Sequence, residues 1–410
     1  MSSIGTSAGL ARVYWTAFIG LFFDYYDLYL FIYLEKTLAA FFSLTPVQSS
    51  WLQFAGLAGV GVGALVFGYL ADRFGRGRMM LTVFGVYAAG VAGLSVAWSP
   101  GSLLVFRLLA SLALGAEWGI SHTYLAERVD GARRYRFAAL LQFSILGGLL
   151  AALMTRYALP VWGWRGLFAA SLVPVAVLSL VRWKALMGQE SAGSPVVAGP
   201  VTDPAANGQR SRERAAQQQS LLPVIASNLR PFLLCLGLAS LTIASGTINV
   251  FYARELPQSP VYTVFFWGNI VPGMLAGAWV VNRWGVRRAL QIYATALIFL
   301  SLGAWLCGSA MALTGSARVG LVFALVLPVL NGIPFGLMGA YFNQVLGGFR
   351  TMLSGAAYNL GRIAAGFSPL LITALGLQVD GRYFLFTLGL GAGVLGLAGV
   401  IGRPGRLQPH

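Results

Sequence analysis

The sequence predicts an all-α membrane protein: twelve transmembrane helices in two pseudo-symmetric bundles of six. Three observations carry this reading. Of 410 residues 57% are hydrophobic and 10% charged, with a mean hydropathy of +0.73, whereas soluble chains run about 45–50% apolar and about 25% charged. Apolar windows follow one another along the whole chain, and a spanning helix needs about 20 such residues. Two segments of the first half recur, in register, in the second.

The windows lie at roughly 13–35, 47–70, 79–98, 102–126, 137–158, 165–183, 231–252, 261–281, 289–309, 319–342, 352–375 and 382–402. The first is too long for a signal peptide, holds Asp24 and Asp27, and has no small-residue cleavage site. With the N-terminus inside, cytoplasmic segments carry 20 of the 28 basic residues. The positive-inside rule therefore places both termini in the cytoplasm. An odd number of spans would scramble that sorting. The expected setting is a bacterial inner (plasma) membrane, because no eukaryotic-style extensions flank the spans. Residues 184–230 form the one long polar stretch, with Ser191 to Pro195 and Gln217 to Gln219, and read as a cytoplasmic linker. It separates two halves, 1–183 and 231–410.

The formal charge of +16 sits in short clusters between apolar runs. Nucleic-acid binding would gather Lys and Arg on a soluble surface, so no nucleic-acid partner is expected. Cys235 and Cys307 both lie within apolar runs, and His122 and His410 are the only histidines. No metal site, disulfide framework, cofactor or enzymatic constellation follows from such a set.

The repeat is specific. Gly68-Tyr-Leu-Ala-Asp72-Arg73-Phe-Gly75-Arg76-Gly-Arg78 follows span 2, and Ala278-Trp-Val-Val-Asn282-Arg283-Trp-Gly285-Val-Arg287-Arg288 follows span 8, offset by 210 residues. Gly63 and Gly273 match at the same offset. Glu127 with Arg134 and Asn343 with Arg350 form a second pair, offset by 216. In both cases the second half has an amide where the first has a carboxylate.

These residues resemble the major facilitator superfamily over nearly the whole chain. Gly68 to Arg78 is similar to that family's loop motif G-x-x-x-D-R-x-G-R-x-R between spans 2 and 3. Arg107 and Gly115-Ala-Glu117-Trp118-Gly119 in span 4 resemble the metabolite–proton symporter branch, although Ala110, Ser111 and Ala113 depart from its Gln, Gly and Gly. Asp24-Tyr-Tyr-Asp27-Leu-Tyr29 in span 1, and Tyr358-Asn359-Leu-Gly361-Arg362 followed by Pro369 in span 11, are similar to organic-acid symporters. Sugar porters share much of this pattern. The resemblance implies alternating access, the two halves rocking about a midplane site.

Charges at mid-bilayer cost at least about 2.5–3.5 kcal/mol each and normally have a role. Asp24 and Asp27 share one helix face, being three apart. Loss of water disfavours an ionised carboxylate and a nearby guanidinium restores it, which suits a proton-coupled carrier. In resembling symporters a span 1 Asp works with the span 4 Arg, which pairs Asp27 with Arg107; the competing reading is a fixed interhelical ion pair. Glu117 is either a second proton site or a packing anchor, and His122 either a group titrating near neutral pH or, the favoured reading, a structural hydrogen-bonding residue. Arg362 lies about mid-depth in span 11, where its planar fork would anchor an anion, unless an acid neutralises it permanently. These five charges sum to minus one, so protonating one acid lets an anion enter more cheaply. Tyr29, Gln142, Asn331 and Tyr358 complete the expected substrate-binding set.

Asp72 sits at the inner end of span 2, and the repeat symmetry brings it beside the start of span 11 near Thr351. A carboxylate there complements a helix N-terminus. Gly68, Asp72, Arg73, Gly75, Arg76, Glu127 and Arg134 are therefore expected to form a cytoplasmic gate. The function expected is proton-coupled symport of a small organic anion by a monomer, with a proton-coupled sugar or polyol symporter as the alternative. A drug–proton antiporter is disfavoured because Gly147-Gly148 lacks a following Pro. A transporter-like sensor is the remaining reading.

Overall fold

The computed structural model describes residues 7–129, 133–191, 221–255, 264–265, 267–311, 317–377 and 383–401. Most of the predicted linker, 192–220, lies outside them. The described residues are overwhelmingly helical and contain no strand. The helices are α1 (Ser7–Phe41), α2 (Pro46–Phe74), α3 (Arg76–Ser95), α4 (Pro100–Ala126), α5 (Arg133–Gln142), α6 (Gly147–Tyr157), α7 (Leu159–Ser191), α8 (Leu221–Glu255), α9 (Ile270–Met311), α10 (Ala317–Val345), α11 (Arg350–Gly366), α12 (Ser368–Ala374) and α13 (Tyr383–Val400).

Each apolar window falls on helix, but helices and windows do not correspond one to one. Among the described residues nine helical stretches are long and apolar enough to cross a bilayer, and the last apolar helix, Phe384–Val400, is shorter. Windows 8 and 9 share α9, which bends at Gly285 (φ 83°, ψ 165°). Window 5 is split by a 3-10 turn, Phe143–Leu146, between α5 and α6. Window 11 is divided between α11 and α12.

Local chemistry sets the helix starts. Thr45 and Ser99 each head a reciprocal capping box, with Pro46 and Pro100 at the first turn where no amide donor is needed. Gln48 N donates to Thr45 Oγ1 at 3.2 Å, and Thr45 N donates to Gln48 Oε1 at 2.9 Å.

The chain forms two compact units, and neither follows a sequence half. One comprises Met1–Val129, Ser144–Arg230 and Leu346–Asn359; the other comprises Asp130–Phe143, Pro231–Val345 and Leu360–His410. The first half of span 5 thus packs with the second unit and the opening of span 11 with the first. The first unit's core is built on Leu30, Phe31, Leu34, Val60, Val83, Val91, Leu94, Leu103 and Phe168, all fully or almost fully buried.

The repeat is visible inside each unit separately. Gly75 turns the chain between α2 and α3 at φ +97°, and its counterpart Gly285 does the same at φ +83°. Side chains rarely adopt such backbone. A β-carbon on Gly63 would lie 1.8 Å from Leu112 O, and one on Gly273 would lie 1.8 Å from Val329 O. Equivalent helices therefore touch backbone to backbone at equivalent points.

Candidate functional site

A buried polar group of the first unit draws on three helices. Asp27 on α1 is 0% exposed, and Arg107 on α4 and Tyr87 on α3 are each 2% exposed. They act on one another electrostatically. Neither Asp27 oxygen, nor the Tyr87 hydroxyl, nor Arg107 Nε or Nη1 makes a hydrogen bond of good geometry among the described residues. Asp27 and Arg107 are thus brought together without a direct ion pair. The guanidinium lies over the Phe31 ring, 3.9 Å from its centroid, a cation–π contact. Gly56 makes room for it, since a β-carbon there would stand 2.9 Å from Arg107 Nε. Buried polar groups are normally satisfied, and an orphan costs about 1–3 kcal/mol. Five such atoms lie in this one cluster.

Asp24, one turn earlier, is only partly buried and also acts on Tyr87. Tyr29 is partly buried, packs against the core and faces Tyr33 at 6.5 Å between centroids. Glu117 is fully buried and accepts from Ser121 Oγ at 2.9 Å, one turn along the same helix.

Beside these lies an aromatic group, also within the first unit. Tyr358 on α11 stacks on Trp118 of α4, with centroids 3.9 Å apart and planes within 1°. Its hydroxyl lies 3.1 Å from that of Tyr25 on α1. His122, one turn along α4, packs against Trp118 with 4.4 Å between centroids. Asn359 Nδ2 donates to Gly115 O at 2.8 Å. The opening of α11 is therefore bound to α1 and α4 by both stacking and hydrogen bonds.

In the second unit, Asn331 on α10 is 1% exposed. Its Oδ1 accepts from Ser245 Oγ of α8 at 2.8 Å and from Tyr293 Oη of α9 at 3.0 Å. Asn331 Nδ2 has no hydrogen-bond partner among the described residues. Gln142, at the end of α5, is buried, and Arg362 on α11 is partly buried. Gln142, Asn331 and Arg362 belong to the second compact unit.

The inner end of α2 meets the start of α11 within the first unit. Asp72, 2% exposed, accepts from Met352 N at 2.9 Å and from Thr351 N at 3.2 Å. These are among the N–H groups that a helix start leaves unsatisfied. Gly68 permits the approach, since a β-carbon there would lie 2.8 Å from Met352 Cα. Arg76 divides its three nitrogens: Nη2 to Asp72 at 2.8 Å, Nε to Thr351 Oγ1 at 3.1 Å, and Nη1 to Glu127 at 2.6 Å. Arg73 is exposed and donates to Tyr69 Oη one turn back. Arg134 is partly buried on α5 and belongs to the second unit. The corresponding second-half residues are Asn282 and Val286, which lack both the acid and the base.

Reading the sequence missed Tyr87, Phe31 and Gly56 around Arg107, and Ser245 and Tyr293 around Asn331. Tyr25, Trp118 and Asn359 stood within the family-like motifs, but their contacts had no signature in the sequence.

A profile of the Major Facilitator Superfamily matches residues 17–369. The chain belongs to this family. Superfamily membership accounts for the duplicated all-helical architecture, the fold of twelve helices in two six-helix bundles. The chain is 26% identical over 405 residues to the niacin transporter NiaP of Acinetobacter baylyi, covering 91% of this chain and 89% of that one. It is 26% identical over 426 residues to the gallate transporter of Pseudomonas putida, covering 95% and 91%. The solved proton:xylose symporter XylE superposes with a TM-score of 0.76 at 15% identity, covering 96% of this chain and 95% of that one. This superfamily member is a membrane transporter and not an enzyme.

Proposed function

We propose that the protein is a proton-coupled symporter of a small organic anion, a carboxylate, working by alternating access. The observation that carries this reading is the burial of Asp27 and Arg107 together without an ion pair. A permanently paired acid and base would have nothing to exchange. Here protonation of Asp27 removes the charge that balances Arg107, and an incoming carboxylate replaces it. Loading the proton and loading the anion then favour one another. The similarity to transporters named for niacin and gallate supports an organic acid as the cargo.

Asp24, Asp27, Arg107 and Glu117 carry the coupling in this reading, and Arg362, Tyr29, Gln142, Asn331 and Tyr358 hold the substrate. Gly68, Asp72, Arg73, Gly75, Arg76, Glu127 and Arg134 serve the cytoplasmic gate. The functional halves are 1–183 and 231–410, joined by 184–230. The protein acts as a monomer in a bacterial inner membrane, with both termini in the cytoplasm. The test is uptake by proteoliposomes under an imposed pH gradient, using nicotinate, gallate and xylose as probes. Accumulation of a carboxylate that collapses with a protonophore is expected. Accumulation of xylose alone would replace the anion reading with the sugar reading.

A further inference from the structure

We propose that Tyr87 is a positioning residue of the coupling centre: it takes the hydrogen bond of protonated Asp27 and so frees Arg107 for the substrate carboxylate. The proposal rests on the symport reading above and adds to it a residue from a third helix, α3.

The argument is one of donors and acceptors. Arg107 is donor only, so it can serve the ionised acid or the carbonyl oxygen of the protonated one, but it cannot take the O–H of the protonated acid. A phenol is both donor and acceptor. Tyr87 can therefore donate to the carboxylate and accept from the carboxylic acid by rotating its hydroxyl, with no movement of the ring. The ring is held in place, since Tyr87 is 2% exposed and packs against Phe84 at 6.2 Å between centroids. Its hydroxyl is one of the orphaned atoms, as are both oxygens of Asp27. A core tyrosine with a merely structural role normally has a partner for its hydroxyl.

The other charged and titratable groups acting on Tyr87 come from α1: Asp24, Tyr26 and Asp27 itself. Tyr26 also acts on Asp27 and lies near Ser171 of α7. Arg107 of α4 faces Tyr87 across the same cluster and is held against Phe31. The corresponding helices of the second half bring together Ser245, Tyr293 and Asn331, and there the tyrosine hydroxyl donates to an amide oxygen that cannot take up a proton. The same three-helix arrangement is thus titratable in the first half and neutral in the second.

The test is infrared difference spectroscopy of the full chain in liposomes during a pH titration, which needs no transported substrate. Asp27→Asn identifies the carboxylic-acid carbonyl band of Asp27 by deleting it. Tyr87→Phe is expected to move that band to higher frequency, through loss of its hydrogen bond, and to displace its titration midpoint by about one pH unit, a tenfold change in proton affinity. Tyr87→His, which keeps a donor and an acceptor, is expected to return the band towards its original position. An unchanged band and midpoint in Tyr87→Phe would overturn the proposal and leave the symport reading standing. A Tyr87→Phe protein that fails to reach the membrane would also overturn it, because the hydroxyl would then be structural. If Asp27→Asn deletes no band, Asp27 does not titrate and the coupling reading falls with the proposal.

Discussion

Asp72 of α2 caps α11 by accepting the amides of Thr351 and Met352, at 3.2 and 2.9 Å. Its carboxylate also holds Arg76, at 2.8 Å. A buried anion therefore sits where a helix start exposes donors and partial positive charge. This contact joins residues 280 positions apart in the chain, and it is one that a gate would have to break in every cycle.

Asp72→Asn keeps the shape but removes the charge, weakening a charge-assisted cap worth about 1–3 kcal/mol. We expect the initial rate of uptake in proteoliposomes to fall about tenfold at unchanged protein level, since about 1.4 kcal/mol is a factor of ten. Wild-type uptake would remove Asp72 from the gate.

Arg76→Lys tests geometry apart from charge. Arg76 reaches Asp72, Thr351 and Glu127 with three separate nitrogens, whereas an ammonium is a single point charge. Glu127 and Arg76 are partly exposed, so solvent screens that arm. A loss of about threefold to fivefold in uptake rate is expected, milder than for Asp72→Asn. No loss in Arg76→Lys would show that charge alone matters.

Asp27→Asn is nearly isosteric and removes the titrating group. Accumulation driven by a pH gradient should disappear, while counterflow of labelled against unlabelled carboxylate continues. Persisting accumulation would assign coupling elsewhere, Glu117 being the next acid to substitute.

Arg362→Lys exchanges a planar fork for a point charge. The KM for the transported carboxylate should rise about tenfold with the maximal rate largely kept, as expected for loss of a bidentate contact. An unchanged KM would end its role as anion anchor.

Much of the architecture was legible because hydropathy and charge are properties of the chain alone. Windows of apolar residues located every helix among the described residues, even where α9 carries two of them and span 5 breaks at Phe143–Leu146. The position of Asp72 beside Thr351 was also legible, because the repeat and the loop motif fix which helix ends meet. Tyr87 was not. A tyrosine in an apolar span has the same sequence signature as any packed aromatic, and only convergence with Asp27 and Arg107 sets it apart.

By itself, then, the sequence determined membrane residence, the duplicated helical halves and the identities of the intramembrane charges. These follow from composition, period and offset, which need no third dimension. Tertiary structure alone decided that Asp27 and Arg107 share a buried cluster without an ion pair, and that Phe31, Gly56 and Tyr87 complete it. It also decided that the opening of α11 packs with the first unit through Tyr358 and Trp118. The reason is physical: helices far apart in the chain place single side chains together through backbone approach and packing, and neither leaves a periodic trace along the sequence.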